Sequence, residues 1–287
     1  MIQKRTYIEQ FKNHLERLGY SKGAQSMLPT CVAEFLERNQ TKEIQELTQQ
    51  DITEYYEYLS QRPNKRRPGG LSSKMIYHNI YSIRLFLNYQ EQIGNITENP
   101  ISGLSFPKPE SKQSEILTIE EVKQVYESCE NYREKAIIGI FYGCGLRRTE
   151  GISLNVKDIS FRDKLLYVRD GKGKKRRVIP INEKVLQDFK NYLYTERFTA
   201  KENETAFITN HNGNRTSGNS YNKTVKTLIQ KAEIKKEISL HSLRHTIASQ
   251  LLENGLSIEY VRDFLGHKYL EATQIYTRVS KSKLTTL

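Results

Sequence analysis

The stretch Asp158-Ile159-Ser160-Phe161-Arg162-Asp163-Lys164-Leu165-Leu166-Tyr167-Val168, followed by Asp170-Gly171-Lys172-Gly173-Lys174 and then Arg177-Val178-Ile179-Pro180-Ile181, reads as strands in a chain that otherwise reads as helices. Short apolar runs are separated by Arg162-Asp163-Lys164 and by the Gly-Lys-Gly segment, both turn sequences. Together they predict a small antiparallel sheet with Lys172 at a glycine-flanked hairpin tip. The fold class follows: mainly α, with a small antiparallel sheet in the C-terminal half.

Upstream of the hairpin, Leu117-Thr118-Ile119-Glu120-Glu121 opens a unit. Thr118 with Glu121 three residues on is a capping box. Residues 136–142 form an apolar helix, broken by Gly143-Cys144-Gly145. Leu146-Arg147-Arg148-Thr149-Glu150 starts the next one. The polar segment from Leu104 to Ser114 carries two prolines and no apolar period, so residues 105–116 read as a linker between two units. Residues 1–104 read as helices. Phe11, Leu15 and Leu18 share a face of the first. The second runs from Met27 to Leu36, with Pro29 expected in its first turn. Thr48 region caps a third, with Ile52, Tyr55, Tyr56 and Leu59 inward, and Ser72 or Ser73 caps a fourth. Between these last two lies a Pro- and Gly-rich loop whose Lys65, Arg66 and Arg67 suit a phosphate backbone, or are simply solvated.

Downstream of the sheet come helices over residues 185–194 and 221–232, then His241-Ser242-Leu243-Arg244-His245-Thr246. A helix to Asn254-Gly255 and another from Ser257 to Gly266 lead to His267 and Tyr276. Residues 117–287 therefore form the second unit.

Composition narrows the partner. The chain has 287 residues, 27% of them charged, with a net charge of +12 and a pI near 9.4. Its mean hydropathy is −0.68, and no apolar run approaches a membrane span or a signal peptide, so a cytoplasmic, nucleoid-associated protein is expected. Such a basic excess suits a polyanion, because each cation placed on a phosphate releases condensed counterions. Cys31, Cys129 and Cys144 lie at no metal-ligand spacing, and reduced thiols are expected.

Breaking a DNA strand without metal needs fixed cations on the nonbridging oxygens, a base for the nucleophile and an acid for the departing 5′-oxygen. Arginine suits the first task, because its planar fork fits two phosphate oxygens. Two arginines, histidines, a lysine and a tyrosine cover these roles. Each also has a plain reading: Arg147 as a surface cation, Lys172 as one of a solvated run with Lys174, Lys175, Arg176 and Arg177, the histidines as packing groups, and Tyr276 as one of 18 tyrosines. No metal set is apparent, and no cofactor is expected.

In order, Gly145-Leu146-Arg147-Arg148-Thr149-Glu150, Gly171-Lys172-Gly173, His241-Ser242-Leu243-Arg244-His245, Leu265-Gly266-His267 and Tyr276 resemble the active-site motifs of tyrosine site-specific recombinases, the phage-integrase and Xer group. The resemblance covers residues 117–279, and more loosely the helical half, as that family's DNA-clamping core-binding domain. It implies that Arg147 and Arg244 hold the scissile phosphate, His241 bonds it and assists proton transfer, and His267 adds a contact. Lys172 would be the general acid and Glu150 the support of the first arginine. Tyr276 would form a 3′-phosphotyrosine. It further implies strand exchange through a Holliday junction in a homotetramer, with a dimer on each of two double-stranded DNA sites. DNA-binding candidates are Lys65, Arg66, Arg67, Lys174, Lys175 and Arg176. Integration, inversion and chromosome-dimer resolution all stay open, as does any need for a second recombinase or accessory protein. Two rivals stand beside this reading. One is a non-catalytic regulator, given the helix-turn-helix look of residues 251–261. The other is a type IB topoisomerase-like enzyme using the same chemistry.

Overall fold

A computed structural model describes residues 2–64, 68–110, 114–169, 176–197 and 201–266. The chain divides into two compact units, Met1–Lys112 and Gln113–Leu287.

The first unit is helical among its described residues. Helix α1 spans Ile2–Arg17, α2 Lys22–Arg38, α3 Gln49–Gln61 and α4 Ser73–Gln92. Three- and four-residue spacing puts Tyr7, Phe11 and Leu15 of α1 on one buried face, with Ile52, Tyr55 and Leu59 of α3 and Ile83, Phe86 and Leu87 of α4 closing the core. Phe11 and Phe86 meet edge to face, with centroids 5.5 Å apart. The caps are side-chain oxygens: Thr48 accepts from the Asp51 amide and Ser72 from the Met75 amide.

Two local readings change. Pro29 lies well inside α2, because Ser21 accepts from the Ala24 amide and starts the helix earlier than apolar periodicity indicates. The cost of the missing Pro29 donor is offset by burial, since Leu28, Pro29, Val32, Phe35 and Leu36 all face the core. Leu18 is 60% exposed, since α1 ends at Arg17 and the chain turns through Gly19, at φ +73°. Phe106, in the proline-bearing segment, packs on Tyr56 with centroids 4.9 Å apart, and Arg84 donates to the Leu104 carbonyl at 2.8 Å.

The second unit begins with α5 (Ile119–Glu127) and α6 (Tyr132–Ile138). A π-helical turn over Gly139–Gly143 continues α6, and α7 (Arg148–Ser153) follows. Strands β1 (Ile159–Ser160), β2 (Leu165–Val168) and β3 (Arg177–Pro180) form the three-stranded antiparallel sheet, in order β1-β2-β3. Leu166 pairs with Ile179, and Val168 with Arg177. Then come α8 (Glu183–Thr195), α9 (Gly218–Lys231), α10 (Leu240–Glu253) and α11 (Ile258–Leu265). The core joins Ile137, Ile140 and Phe141 to Leu166 and Ile179 of the sheet, Leu186 and Phe189 of α8, and Leu228 and Leu243. Gly139 and Gly143 let α8 close on this segment: an added Cβ would stand 2.9 Å from Phe189 and 2.7 Å from Val185.

Helix α10 is the central strut. Its Thr246 hydroxyl accepts from the Leu117 amide at 3.1 Å, Gln250 donates to the Leu117 carbonyl at 3.2 Å, and the Tyr142 hydroxyl donates to Gln250 at 2.6 Å. Among the described residues no helix is long and apolar enough to cross a membrane.

Candidate active site

Glu150 sits in the first turn of α7 and is 3% exposed. An unpaired carboxylate at that depth would be costly, and three arginines surround this one. Arg147, just before α7, donates Nη1 to Glu150 Oε1 at 2.8 Å, and its backbone amide donates to Oε2 at 2.8 Å. Arg177 of β3 makes a fork, Nη1 to Oε1 at 2.9 Å and Nη2 to Oε2 at 2.8 Å. Arg244 of α10 lies beneath, its Nη1 3.8 Å from Oε2. Burial pushes the Glu150 carboxyl up, but the bonds and charge of Arg177, and then those of Arg147, outweigh it and hold the pKa at about 2.

The same three arginines grip the end of α11. Arg177 Nε donates to the Phe264 carbonyl at 3.0 Å, Arg244 Nη2 to Leu265 at 2.6 Å, and Arg147 Nη2 to Gly266 at 2.8 Å. These are terminal carbonyls without partners inside the helix, at the negative end of its dipole, where cations are favoured. Gly266 holds the left-handed conformation that ends α11, at φ +65°. Arg244 Nη1 also donates to the Gly145 carbonyl at 2.5 Å. Gly145 has φ +59°, and a Cβ there would lie 3.1 Å from both Leu265 and Phe264. Only glycine lets the chain turn this tightly against α11 and deliver Arg147 to its place.

His241 and His245 are one turn apart on α10, with rings edge to face at 4.3 Å. His241 is exposed. Partial desolvation, then the charges of Arg244 and Arg147, lower its pKa. Burial, then His241 and Arg244, hold His245 at about 4. Both imidazoles are therefore neutral near pH 7, able to donate one hydrogen bond and accept another. With one carboxylate against three guanidiniums, the cluster is a positive pocket bordered by neutral imidazole, suited to an anion that gains charge as it reacts.

The structure thus brings together Arg147, Glu150, His241 and Arg244. Arg147 keeps 21% of its side chain exposed, while Arg244 is 1% exposed. Arg148 turns elsewhere, donating to Asn219 at 3.0 Å. Arg176 is exposed just before β3. Lys172, His267 and Tyr276 lie outside the described residues, as do Lys65, Arg66, Arg67, Lys174 and Lys175. Among the described residues, no group of three or more His, Cys, Asp or Glu side chains could hold a metal ion. Cys144 is fully buried, and burial pushes its thiol to about 12, which makes it a core group. The sequence reading took Arg177 only as one of a solvated basic run, whereas it is 9% exposed and bound to Glu150. Its signal was the strand alternation that puts Arg177 on the face of buried Ile179 and Ile181, where a cation needs a buried partner.

A sequence profile of the phage integrase family matches residues 115–283. The tyrosine recombinase XerA of Pyrococcus horikoshii is 31% identical over 281 residues, covering 96% of this chain and 90% of that protein. The crystal structure of XerA recombinase aligns over 99% of this chain and 98% of its own, with a TM-score of 0.56 and 26% identity. The XerH site-specific recombinase, in a post-cleavage complex with palindromic difH substrate, shares the fold: TM-score 0.74, 20% identity, coverage 95% and 82%. That family cleaves and rejoins DNA. The chain belongs to the phage integrase family of tyrosine site-specific recombinases.

Proposed function

We propose that this enzyme recombines specific duplex DNA sites through a 3′-phosphotyrosine formed by Tyr276. Arg147 at the surface and Arg244 beneath it offset the charge that grows on the scissile phosphate, and neutral His241 bonds that phosphate and relays the nucleophile's proton. Lys172 protonates the leaving 5′-oxygen, and His267 adds a phosphate contact. The ester conserves the energy of the broken bond, so rejoining by the 5′-hydroxyl calls for neither ATP nor metal. Exchange then passes through a Holliday junction in a tetramer, with a dimer at each site. In this reading residues 1–104 grip the duplex with help from Lys65, Arg66 and Arg67. Residues 105–116 link, and residues 117–287 carry the chemistry, with Lys174, Lys175 and Arg176 on the backbone. The work is done on DNA in the cytoplasm.

The observation that carries this reading is the convergence of Arg147, His241 and Arg244, from segments far apart in sequence, around one buried carboxylate. The post-cleavage state in which XerH is described supports it by likeness of fold.

The test is a nicked suicide duplex drawn from the flanks of the gene, or selected by the protein from a random pool. Wild type should yield a denaturation-resistant protein–DNA adduct, and Tyr276→Phe should bind equally and yield none. An adduct with Tyr276→Phe would show that another residue is the nucleophile.

A further inference from the structure

We infer that Arg177 is a positioning residue for strand cleavage, setting the guanidinium of Arg147 through Glu150. The inference rests on the role given to Arg147 above.

Arg147 has two side-chain anchors, Glu150 Oε1 and the Gly266 carbonyl, and Arg177 touches the surroundings of both. Its fork takes both oxygens of Glu150, so that each oxygen is shared between Arg177 and Arg147: Oε1 with a guanidinium nitrogen of each, Oε2 with Arg177 Nη2 and the Arg147 amide. A carboxylate held at both oxygens cannot rotate about its last bond, and the direction of the Arg147 bond is fixed with it. The third donor, Nε, holds the Phe264 carbonyl two residues before Gly266. The fit is closed from the other side too, since a Cβ at Gly266 would stand 2.9 Å from Arg177 Cδ.

Arg177 does not meet DNA itself, because only 9% of its side chain is exposed. Nor does neutralising Glu150 require a fork, because an ammonium would supply the same charge. What lysine cannot supply is three donors in one plane, spanning two carboxylate oxygens and a carbonyl on another element. Arg177 opens β3, five residues after Lys172 in sequence, so one side chain ties the start of that strand to the start of α7 and the end of α11.

The test uses full-length protein and nicked duplexes carrying a sequence that wild type selects from a random pool. Arg177→Lys should fold, by circular dichroism, and bind within roughly threefold of wild type, yet form the covalent adduct at least about tenfold more slowly. The decisive reading is the cost of Arg147→Lys, on the order of 100-fold in the wild-type background for one lost oriented donor set. If Arg177 acts through Arg147, that cost should fall below about tenfold in Arg177→Lys, because coupled sites are not additive. An undiminished cost, or an Arg177→Lys rate within roughly threefold of wild type, overturns the inference.

Should Arg177→Lys fail to fold, Glu150→Gln and the double variant E150Q/R177Q replace it. E150Q should cleave at least about tenfold more slowly than wild type, and the double variant within roughly threefold of E150Q. An E150Q rate like wild type, or a double variant slower than that, overturns it. If wild type forms no adduct, or Tyr276→Phe keeps one, the assignment of the site has failed and this inference falls with it. A normal wild-type adduct, lost in Tyr276→Phe and impaired in Arg147→Lys, with no effect of Arg177, removes this inference alone.

Discussion

Replacing Glu150 by glutamine removes the one negative charge around which Arg147, Arg177 and Arg244 are assembled, at nearly constant shape. The carboxyl is held at about 2 in the folded chain against 4.5 as its ordinary value. That gap, at 1.36 kcal/mol per unit, corresponds to roughly 3 kcal/mol of stability near neutral pH. Breaking a buried ion pair from one side independently costs about 3–5 kcal/mol. Because the folded pKa is the lower one, the contribution is fully present above pH 4.5 and is lost as pH falls through about 2. At pH 3 the linkage relation leaves about 1 kcal/mol, less than half of it. The assay is denaturant unfolding followed by circular dichroism, with native-state hydrogen exchange on core amides of Ile140, Phe141 and Leu243 to isolate this unit from the helical one. Glu150→Gln should be about 3 kcal/mol less stable than wild type at pH 7, with the difference more than halved at pH 3. A difference that stays constant between pH 7 and pH 3 would refute the argument, for it would mean that the loss is one of packing and not of charge.

Two further outcomes follow from the same cluster. Gly145→Ala must adopt a left-handed backbone and place a methyl 3.1 Å from Leu265 and Phe264, which should cost about 2–4 kcal/mol from strain and overpacking together; an unfolding midpoint equal to wild type would contradict the turn's role. The imidazole of His245 should titrate near pH 4 by NMR, so that stability falls as pH drops from 6.5 towards 4 while the unfolded chain alone takes up the proton; a midpoint near 6.5 would show that the ring is not enclosed as described.

The helices were legible because their signals are local. Thr118 and Glu121 cap each other across three residues, and Phe11 and Leu15 repeat at four. The sheet was legible from its alternation and from the Arg162-Asp163-Lys164 turn. Pro29 and Leu18 were misread for local reasons: a serine cap starts α2 five residues before Met27, and α1 ends at Arg17, one residue short of Leu18. Within the site, Arg147, Glu150, His241 and Arg244 stood out by residue type and order, because charged groups beside glycine turns are visible in one dimension. Arg177 was hidden among four basic neighbours, Lys172, Lys174, Lys175 and Arg176. Its partner lies 27 residues away and its third bond 87 residues away, distances that no periodicity reports. The π-helical turn over Gly139–Gly143 escaped for a related reason. It answers to the packing of Val185 and Phe189, which belong to another helix.

The grip on carbonyls 264 to 266 has a consequence for the order of biosynthesis. The bonds from Arg147 to Gly266 and from Arg244 to Gly145 close loops of 119 and 99 residues. A chain leaving the ribosome carries Arg147 and Glu150 into solution long before α11 exists to receive them. Long loops must be closed before their contacts reward the closure, so this cluster belongs to the last events of folding. Until then, three cations and one carboxylate are simply a charged surface, without the oriented donors that the chemistry needs. The geometry thus ties competence to cut to completion of the fold: a truncated or half-made chain that still carries Arg147 lacks the Gly266 carbonyl that would set it in place.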